Sequence, residues 1–288
     1  MGESRPLGEQ ERLLNYLHAF GGLIAMSVLH VRGRLDPALL GEALAWLQAQ
    51  HPILRAHVRY GELVFRRLPP FVYRQPYFET EGTTEIPLAI VTDPDPEHWR
   101  KVLASDLHSP IKDGMTPRIR VSLVRTSRTD ELNHIVICAD HATIDAQSGN
   151  MFACQLLDYL ADPAAAQAKP PIHEMLPPPL EAGLPKKPDS GTRRYQPALR
   201  LPRQTIQGGK QETRVISHHL GPSVTADLKA AIKANRTTLH GAVTAAFLIA
   251  MRERFGVEAL TCLTTIDLRR LMKPALPQAT YGGYIEIL

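Results

Sequence analysis

The sequence contains few of the residues on which several specialised protein classes depend. Its 288 residues include only 3 cysteines, and Cys138, Cys154 and Cys262 are too widely spaced to form a CxxC pair. This spacing gives no support for a structural zinc site or a disulfide framework. Cys138 lies within an apolar run, which predicts a small buried side chain. Aromatic residues make up only 6% of the chain, so it offers few surfaces on which nucleic-acid bases could stack.

Long apolar runs are also missing. None approaches the roughly 18–20 residues that a membrane-spanning helix needs, so we expect no membrane span. The first residues, MGESRPLGEQER, carry charges where a signal peptide needs an apolar stretch, which favours a cytoplasmic location. No GxSxG, P-loop or GxGxxG motif stands in a strand–turn–helix context, so serine-hydrolase and nucleotide-binding folds have no support.

The composition is that of an ordinary globular protein, with 44% hydrophobic and 22% charged residues. The net charge of +4 comes from one segment, residues 186–214, which holds eight Lys or Arg and two acidic residues. Because the rest of the chain is slightly acidic, we do not expect a nucleic-acid partner. The segment is either a solvated crossover or a surface that attracts coenzyme A phosphates or an acidic carrier protein. Its principal basic residues are Lys186, Lys187, Arg193, Arg194, Arg200 and Arg203.

Helical and strand patterns are mixed along the whole chain, which predicts a two-layer α/β (α+β) sandwich. The predicted helices are 7–20, DPALLGEALAWLQAQ, 96–107, 146–161, SVTADLKAAIKAN and TTLHGAVTAAFLIAMRERF. The predicted strands are 23–32, ILRAHVRY, ELVFRR, TEIPLAIV, RIRVSLVRT, ELNHIVICAD, ETRVISHHL, ALTCLTTIDL and YIEIL. A tight turn at Gly61 would join ILRAHVRY to ELVFRR. Within ETRVISHHL, His218 and His219 would point to opposite faces of the strand and could not chelate one metal ion together.

Proline marks the boundary between two parts of the chain. Ten of the 24 prolines fall between residues 161 and 213, where no periodicity is visible. Such a composition is typical of a semi-extended linker that crosses a surface. We therefore predict an N-terminal lobe over 1–165, a Pro-rich basic crossover over 166–212, and the beginning of a C-terminal lobe over 213–288.

The stretch from Asp140 to Ala146 is the best candidate for chemistry. His141 follows a long buried strand and precedes a helix, so its imidazole could accept a proton from a hydroxyl or an amine at a cleft. Asp145, four residues later, could fix the loop or orient the imidazole. The HxxxD spacing alone is short, and a histidine that simply ends a strand is the alternative interpretation.

The order of several motifs makes the sequence resemble the chloramphenicol acetyltransferase-like superfamily of HxxxD acyltransferases and condensation domains. VRGRLDPALLGEALAWLQAQHPILRAHV is similar to the opening of that superfamily, and the HxxxD turn follows on an apolar strand. TTLHGAVTAAFLIAM and LTTIDLRR are similar to the helix and the DLR turn of the second lobe. Within the superfamily, the sequence looks most like the phthiocerol/phthiodiolone dimycocerosyl transferases, which are polyketide-associated acyltransferases.

The resemblance implies a reaction and a role for each site residue. His141 would be the general base that lets a hydroxyl acceptor attack an acyl thioester of coenzyme A or of a phosphopantetheine arm on a carrier protein. Asp145 would point away from substrate and pair with an arginine that holds the turn. Arg269 is the first candidate for that arginine and Arg55 is the second. No metal ion and no tightly bound cofactor are implied.

Three positions depart from the family pattern. Asp140 replaces the first histidine of the frequent HHxxxD motif, and a nearby carboxylate would favour the imidazolium form of His141 and weaken it as a base. Ala146 replaces the commoner glycine after the aspartate. Tyr281 stands at the place of an asparagine in the segment that crosses between lobes.

The largest departure from the family pattern is length, and we expect residues 213–288 to form only the opening of the second lobe. We expect its last helix and strands to expose apolar surface that a second polypeptide or an oligomer would cover. Three alternatives to an ester-forming enzyme follow: a non-catalytic docking lobe, a truncated relative, or an amide-forming condensation domain.

Overall fold

The computed structural model describes residues 2–19, 23–67, 70–126, 132–170, 175–184, 215–256, 260, 262, 264–277 and 279–287. Contacts divide the chain into a first unit, Met1–Pro185 with Asp267–Glu286, and a second unit, Lys186–Ile266 with Ile287–Leu288. The lobe boundaries given above stay a prediction. All basic residues of segment 186–214 lie outside the described residues.

Nine strands and eight α-helices are described. The strands are β1 (Ser4–Pro6), β2 (Ile24–Arg32), β3 (His57–Arg67), β4 (Pro70–Glu79), β5 (Leu88–Asp93), β6 (Ile119–Thr126), β7 (Leu132–Asp140), β8 (Thr265–Asp267) and β9 (Ile285–Ile287). The helices are α1 (Glu9–Ala19), α2 (Pro37–Gln50), α3 (Trp99–Leu107), α4 (Ala146–Ala161), α5 (Pro163–Gln167), α6 (Leu180–Gly183), α7 (Pro222–Ala234) and α8 (Leu239–Phe255). Short 3-10 helices cover Pro52–Arg55 and Arg269–Leu271. The predicted mixture of helices and strands is confirmed.

A four-stranded sheet in the order β2-β7-β6-β5 carries the site. β2 and β6 flank β7 in antiparallel pairs, whereas β5 runs parallel to β6. Helix α3 packs against β7, and α4 packs against both β2 and α2. Because β7 is inside the sheet, all of its residues except Leu132 are buried, as the apolar run HIVICA predicts. The chain leaves this buried strand at Asp140.

The second sheet of the first unit has the order β1-β4-β3, and it corrects one prediction. No turn occurs at Gly61. The chain instead continues as the single strand β3, whose register with β4 shifts between Tyr60 and Leu63. Such a shift accommodates an extra residue without reversing the chain. The preceding PILR forms a 3-10 helix rather than part of a strand.

The capped helices agree with the sequence. The Asp36 side chain accepts a hydrogen bond from Ala38 N at the start of α2, and α4 covers 146–161 as predicted. Thr238 caps α8, which ends at Gly256 with a φ of 64°. In the left-handed region glycine carries no Cβ penalty, so it is suited to ending a helix.

The predicted strand ETRVISHHL is wrong over its described residues. Residues 215–220 form no strand, and His218 and His219 are both exposed. The predicted strand ALTCLTTIDL is described as extended only over Thr265–Asp267, where β9 supplies a partner. Apolar alternation alone does not make a strand, because the backbone also needs a neighbouring strand for its hydrogen bonds.

The described part of the second unit exposes apolar side chains. No residue of α7 or α8 is buried. The large exposed apolar residues of these helices are Val224, Leu239, Val243, Phe247, Ile249 and Phe255. Among the described residues, no helix is long and apolar enough to cross a membrane.

Candidate active site

The site is built at the turn between β7 and α4. After Asp140 the chain turns sharply, and the amides of Thr143 and Ile144 both donate to the Asp140 carbonyl, at 2.9 and 3.2 Å. The Asp140 carboxylate accepts a further bond of 2.9 Å from Ala142 N. The turn thereby fixes the backbone on both sides of His141.

His141 lines a cavity of about 190 Å³. The cavity lies against β2 and β7 and is bounded by the first turns of α4. The Nδ1 atom of His141 is buried and has no hydrogen-bond partner in the described part of the chain. A general base needs a ring nitrogen that an incoming hydroxyl can reach, and burial of Nδ1 leaves Nε2 as the candidate for that role.

Asp145 does not face substrate as a free carboxylate, because hydrogen bonds surround it. Its side chain is fully buried and caps α4 through a bond of 2.9 Å from Ser148 N. Tyr284 N donates to Oδ2 at 3.0 Å. Arg269 donates to both oxygens, Nη1 to Oδ2 at 2.7 Å and Nη2 to Oδ1 at 2.9 Å. All lone pairs of the carboxylate thus point to a donor.

The structure brings Asp145 together with Arg269 and not with Arg55. Arg55 lies in the 3-10 helix after α2, where its guanidinium donates to the carbonyl of Ala49. Burial lowers the pKa of Arg269, but the hydrogen bonds and the negative charge of Asp145 raise that pKa above its ordinary value. The guanidinium therefore stays charged while it is largely enclosed.

The segment around Tyr281–Tyr284 closes against the HxxxD turn. Ser148 Oγ donates to Gly282 O at 3.2 Å and accepts from Gly282 N at 3.1 Å. Gly283 lies so close that an added Cβ would be 3.0 Å from the carbonyl oxygen of His141. A side chain at residue 283 would require the two segments to move apart by a few tenths of an ångström.

Tyr281, at the position expected for asparagine, is buried below that segment. Its hydroxyl donates to Gln155 Oε1 at 2.7 Å, and His51 Nε2 lies 2.8 Å from the same oxygen. The rings of His51 and Tyr281 contact each other at an interplanar angle of 50°, with centroids 4.2 Å apart. Tyr281 therefore anchors the segment to α4 and to the end of α2 instead of reaching the cavity.

Asp140 has a partner that the sequence analysis missed. Arg118 is 1% exposed and donates to Asp140 Oδ2 through Nε at 2.9 Å and Nη2 at 2.6 Å. The other bonds of its guanidinium go to Ile111 O, Asp113 Oδ1 and Asn15 Oδ1. The negative charge of Asp140 is therefore balanced by Arg118.

His18 completes this buried group. Its Nε2 accepts a hydrogen bond of 2.8 Å from Ile111 N, and its Nδ1 lies 4.0 Å from Asp140 Oδ1. Burial lowers the pKa of His18, while the nearby Asp140 carboxylate opposes that shift. The sequence holds one indication of this group, because Asp140 ends an apolar strand. A carboxylate that is buried there needs a charged partner.

Among the described residues, neither the cysteines nor potential metal ligands form a site comparable to the one around His141. Cys138 is fully buried, and burial with the nearby Asp106 raises the pKa of its thiol to about 12, which makes it a poor nucleophile. Cys154 and Cys262 are exposed. Within the ranges that the structure describes, no three His, Cys, Asp or Glu side chains are placed to hold a metal ion.

Comparison with known proteins finds one matching family model and several similar solved structures. Residues 209–282 match the family model of the phthiocerol/phthiodiolone dimycocerosyl transferase C-terminus. The first condensation domain of the calcium-dependent antibiotic synthetase is similar in structure over 99% of this chain and 68% of its own, with a TM-score of 0.66 and 15% identity. No curated protein sequence matches the chain.

Two further solved structures show the same fold. The SgcC5 protein from Streptomyces globisporus aligns over 99% of this chain and 67% of its own, with a TM-score of 0.58 and 17% identity. The condensation domain of the Monacolin K polyketide synthase MokA has the same coverage, with a TM-score of 0.59 and 12% identity. The chain spans about two thirds of the length of these three proteins. The predicted resemblance and the condensation-domain-like fold class are confirmed.

Proposed function

We propose that the protein is an acyltransferase that forms an ester, with His141 as the general base. The acyl donor is a thioester of coenzyme A or of a carrier-protein phosphopantetheine arm, and the acceptor is a small-molecule alcohol. The observation that carries the proposal is that His141 lines a cavity, on a turn held by the buried Asp145–Arg269 pair. The fold and the family model favour the same class of chemistry.

The proposed reaction needs one base and no covalent enzyme intermediate. His141 Nε2 takes the proton of the acceptor hydroxyl, and the hydroxyl oxygen attacks the thioester carbonyl. The tetrahedral oxyanion collapses, the carbon–sulfur bond breaks, and the thiolate leaves with the proton that His141 carried. Asp145 and Arg269 do not touch the reacting atoms; they are positioning residues that hold the turn.

Release of free thiol from hexanoyl-coenzyme A, with and without a mixture of primary alcohols, tests the proposal. We expect acceptor-dependent release that His141→Ala lowers by about 10²–10⁴-fold, the usual contribution of a general base. His219→Ala, which removes an exposed histidine of the second unit, is the control. Circular dichroism checks that both variants fold. Equal turnover by His141→Ala would contradict the assigned base, and no acceptor-dependent release by the natural chain would contradict acyl transfer.

Amide formation is the second candidate, because the calcium-dependent antibiotic synthetase domain of the same fold is a condensation domain. The same base would then deprotonate an amine. Replacing the alcohols by primary amines in the same assay separates the two candidates. Faster thiol release with amines than with alcohols would favour the condensation reaction.

A further inference from the structure

The cavity beside His141 is small and partly open to solvent. Its volume of about 190 Å³ is slightly larger than the roughly 150 Å³ cavity that accommodates a benzene ring in another protein. Its walls include Ala25 and Ala139, which pair across β2 and β7, and Phe152 of α4. A group of about six carbon atoms therefore matches the size of this space.

One polar side chain interrupts the apolar lining on β2. Ser27 pairs with Ile137 of β7 and lines the cavity. Its hydroxyl makes no hydrogen bond with any described residue, although Ser27 is half-buried. A ligand that covers this hydroxyl without bonding to it removes the hydroxyl's hydrogen bonds to water. Binding is then weaker, because those hydrogen bonds are not replaced. The cavity therefore suits a ligand that carries its own polar atom.

Gly149 forms the opposite wall, on the first turns of α4. A methyl group on this residue would lie 3.4 Å from Ser27 Oγ and 3.8 Å from Ile144 Cγ2. The space between α4 and β2 thus exists because residue 149 has no side chain. A larger residue at this position would fill the cavity next to the Ser27 hydroxyl.

We propose that this cavity binds the acyl group of the donor and selects a short acyl chain with an oxygen substituent, through the Ser27 hydroxyl. The proposal rests on the proposed function, since it places the donor carbonyl at the His141 end of the cavity. Gly149 limits the chain length, and Ser27 recognises a hydroxyl or keto group on the chain.

Calorimetric binding of 3-hydroxybutyryl-coenzyme A and butyryl-coenzyme A, without acceptor, tests the role of Ser27. We expect the natural chain to bind the hydroxylated thioester about fivefold more tightly, which is the effect of one net hydrogen bond. Ser27→Ala should bind both thioesters with equal affinity. Equal affinities already in the natural chain, a preference that survives in Ser27→Ala, or no binding of either thioester would each overturn the proposal.

Gly149→Ala tests the size limit. Alanine favours the helix more than glycine does, so the variant should fold at least as well. We expect the affinity for hexanoyl-coenzyme A to fall by about tenfold while acetyl-coenzyme A binds as before, because one buried methyl group changes discrimination by this order. Gly41→Ala in α2 is the matched control, since an added methyl there meets no atom within 4 Å. An equal loss for both thioesters would contradict the size limit.

These binding measurements are separable from the test of the reaction. If the binding preference is found but no alcohol promotes thiol release, the proposed function fails and the cavity remains a site for acyl thioesters. If thiol release depends on the alcohol and on His141 but not on Ser27, the proposed function stands and the acyl selection fails.

Discussion

Arg269 and Asp145 are 124 residues apart in the sequence, yet their side chains meet in two hydrogen bonds of 2.7 and 2.9 Å. The two bonds are of the paired kind that a planar guanidinium forms with a carboxylate. Arg269 also lies over the ring of Tyr284, with its Cζ 4.9 Å from the ring centre. The contact ties the stretch after β8 to the turn that carries His141.

Arg269→Ala should destabilise the protein and lower its activity together. The variant leaves the fully buried Asp145 carboxylate without its cationic partner, which costs about 3–5 kcal/mol for a buried pair. Arg269→Lys should recover only part of the loss, because an ammonium cannot reproduce both bonds. Urea unfolding followed by circular dichroism measures the free energy of unfolding.

Arg270→Ala serves as the control for that prediction. Arg270 is the neighbouring arginine and is exposed, so its removal should change the free energy of unfolding by less than about 0.5 kcal/mol. A variant of Arg269 with natural stability and no thiol release would show that the pair acts in the chemistry and not only in holding the turn.

The Arg118–Asp140 pair should show strong energetic coupling. Arg118→Met and Asp140→Asn each remove one member of a buried pair. Each variant alone should lower the free energy of unfolding by about 3–5 kcal/mol. The double variant should lose markedly less than the sum, because neither charge then remains unpaired. Urea unfolding of all four proteins gives the coupling energy, and additive losses would contradict a direct interaction.

The elements of the site follow from local sequence, but its contacts do not. Asp145 at the N-cap of α4 and the buried strand before His141 are visible in the order of apolar and capping residues. The choice of Arg269 over Arg55 came from a resemblance to known proteins, since no local pattern relates residues 124 positions apart. Arg118 was missed because a basic residue before an apolar strand looks the same whether it is buried or exposed.

The predicted turn at Gly61 failed for a different reason. Glycine is suited both to tight turns and to irregular positions within a strand, and the sequence does not distinguish these uses. In the structure, β3 continues past Gly61 because β4 supplies partners on both sides of the register shift. Sheet pairing with a distant strand therefore decided the local conformation.

Gly283→Ala should reduce activity by moving the HxxxD turn. The added Cβ would lie 3.0 Å from His141 O, which is backbone and cannot swing aside like a flexible side chain. We expect a loss of about 1–3 kcal/mol in the free energy of unfolding, the usual cost of overpacking, and a fall in kcat. Gly41→Ala, which meets open space in a helix, should be neutral or stabilising. Natural activity in Gly283→Ala would show that the turn tolerates the displacement.

Acid should destabilise the protein through His134. This side chain is buried, its Nδ1 lies 2.7 Å from His30 Nδ1, and Trp99 packs edge-on against His30. Burial and then the charge of His30 lower the pKa of His134, while a backbone bond at Pro96 and the charge of Glu97 oppose the shift. Folding therefore favours neutral His134. The contribution of His134 to the free energy of unfolding is complete above about pH 6.5, the pKa of histidine in the unfolded chain. This contribution is lost as the pH falls through that value towards the lower pKa of His134 in the folded protein.

The free energy of unfolding should consequently decrease between about pH 7 and pH 5, and His134→Asn should decrease less steeply because asparagine does not titrate. Some slope should remain in the variant, since burial also lowers the pKa of His18 and His57. His219→Asn, at an exposed position, is the control for loss of one histidine. Urea unfolding at closely spaced pH values measures the slope. An identical pH dependence in His134→Asn and the natural chain would mean that His134 keeps the same affinity for protons in both states.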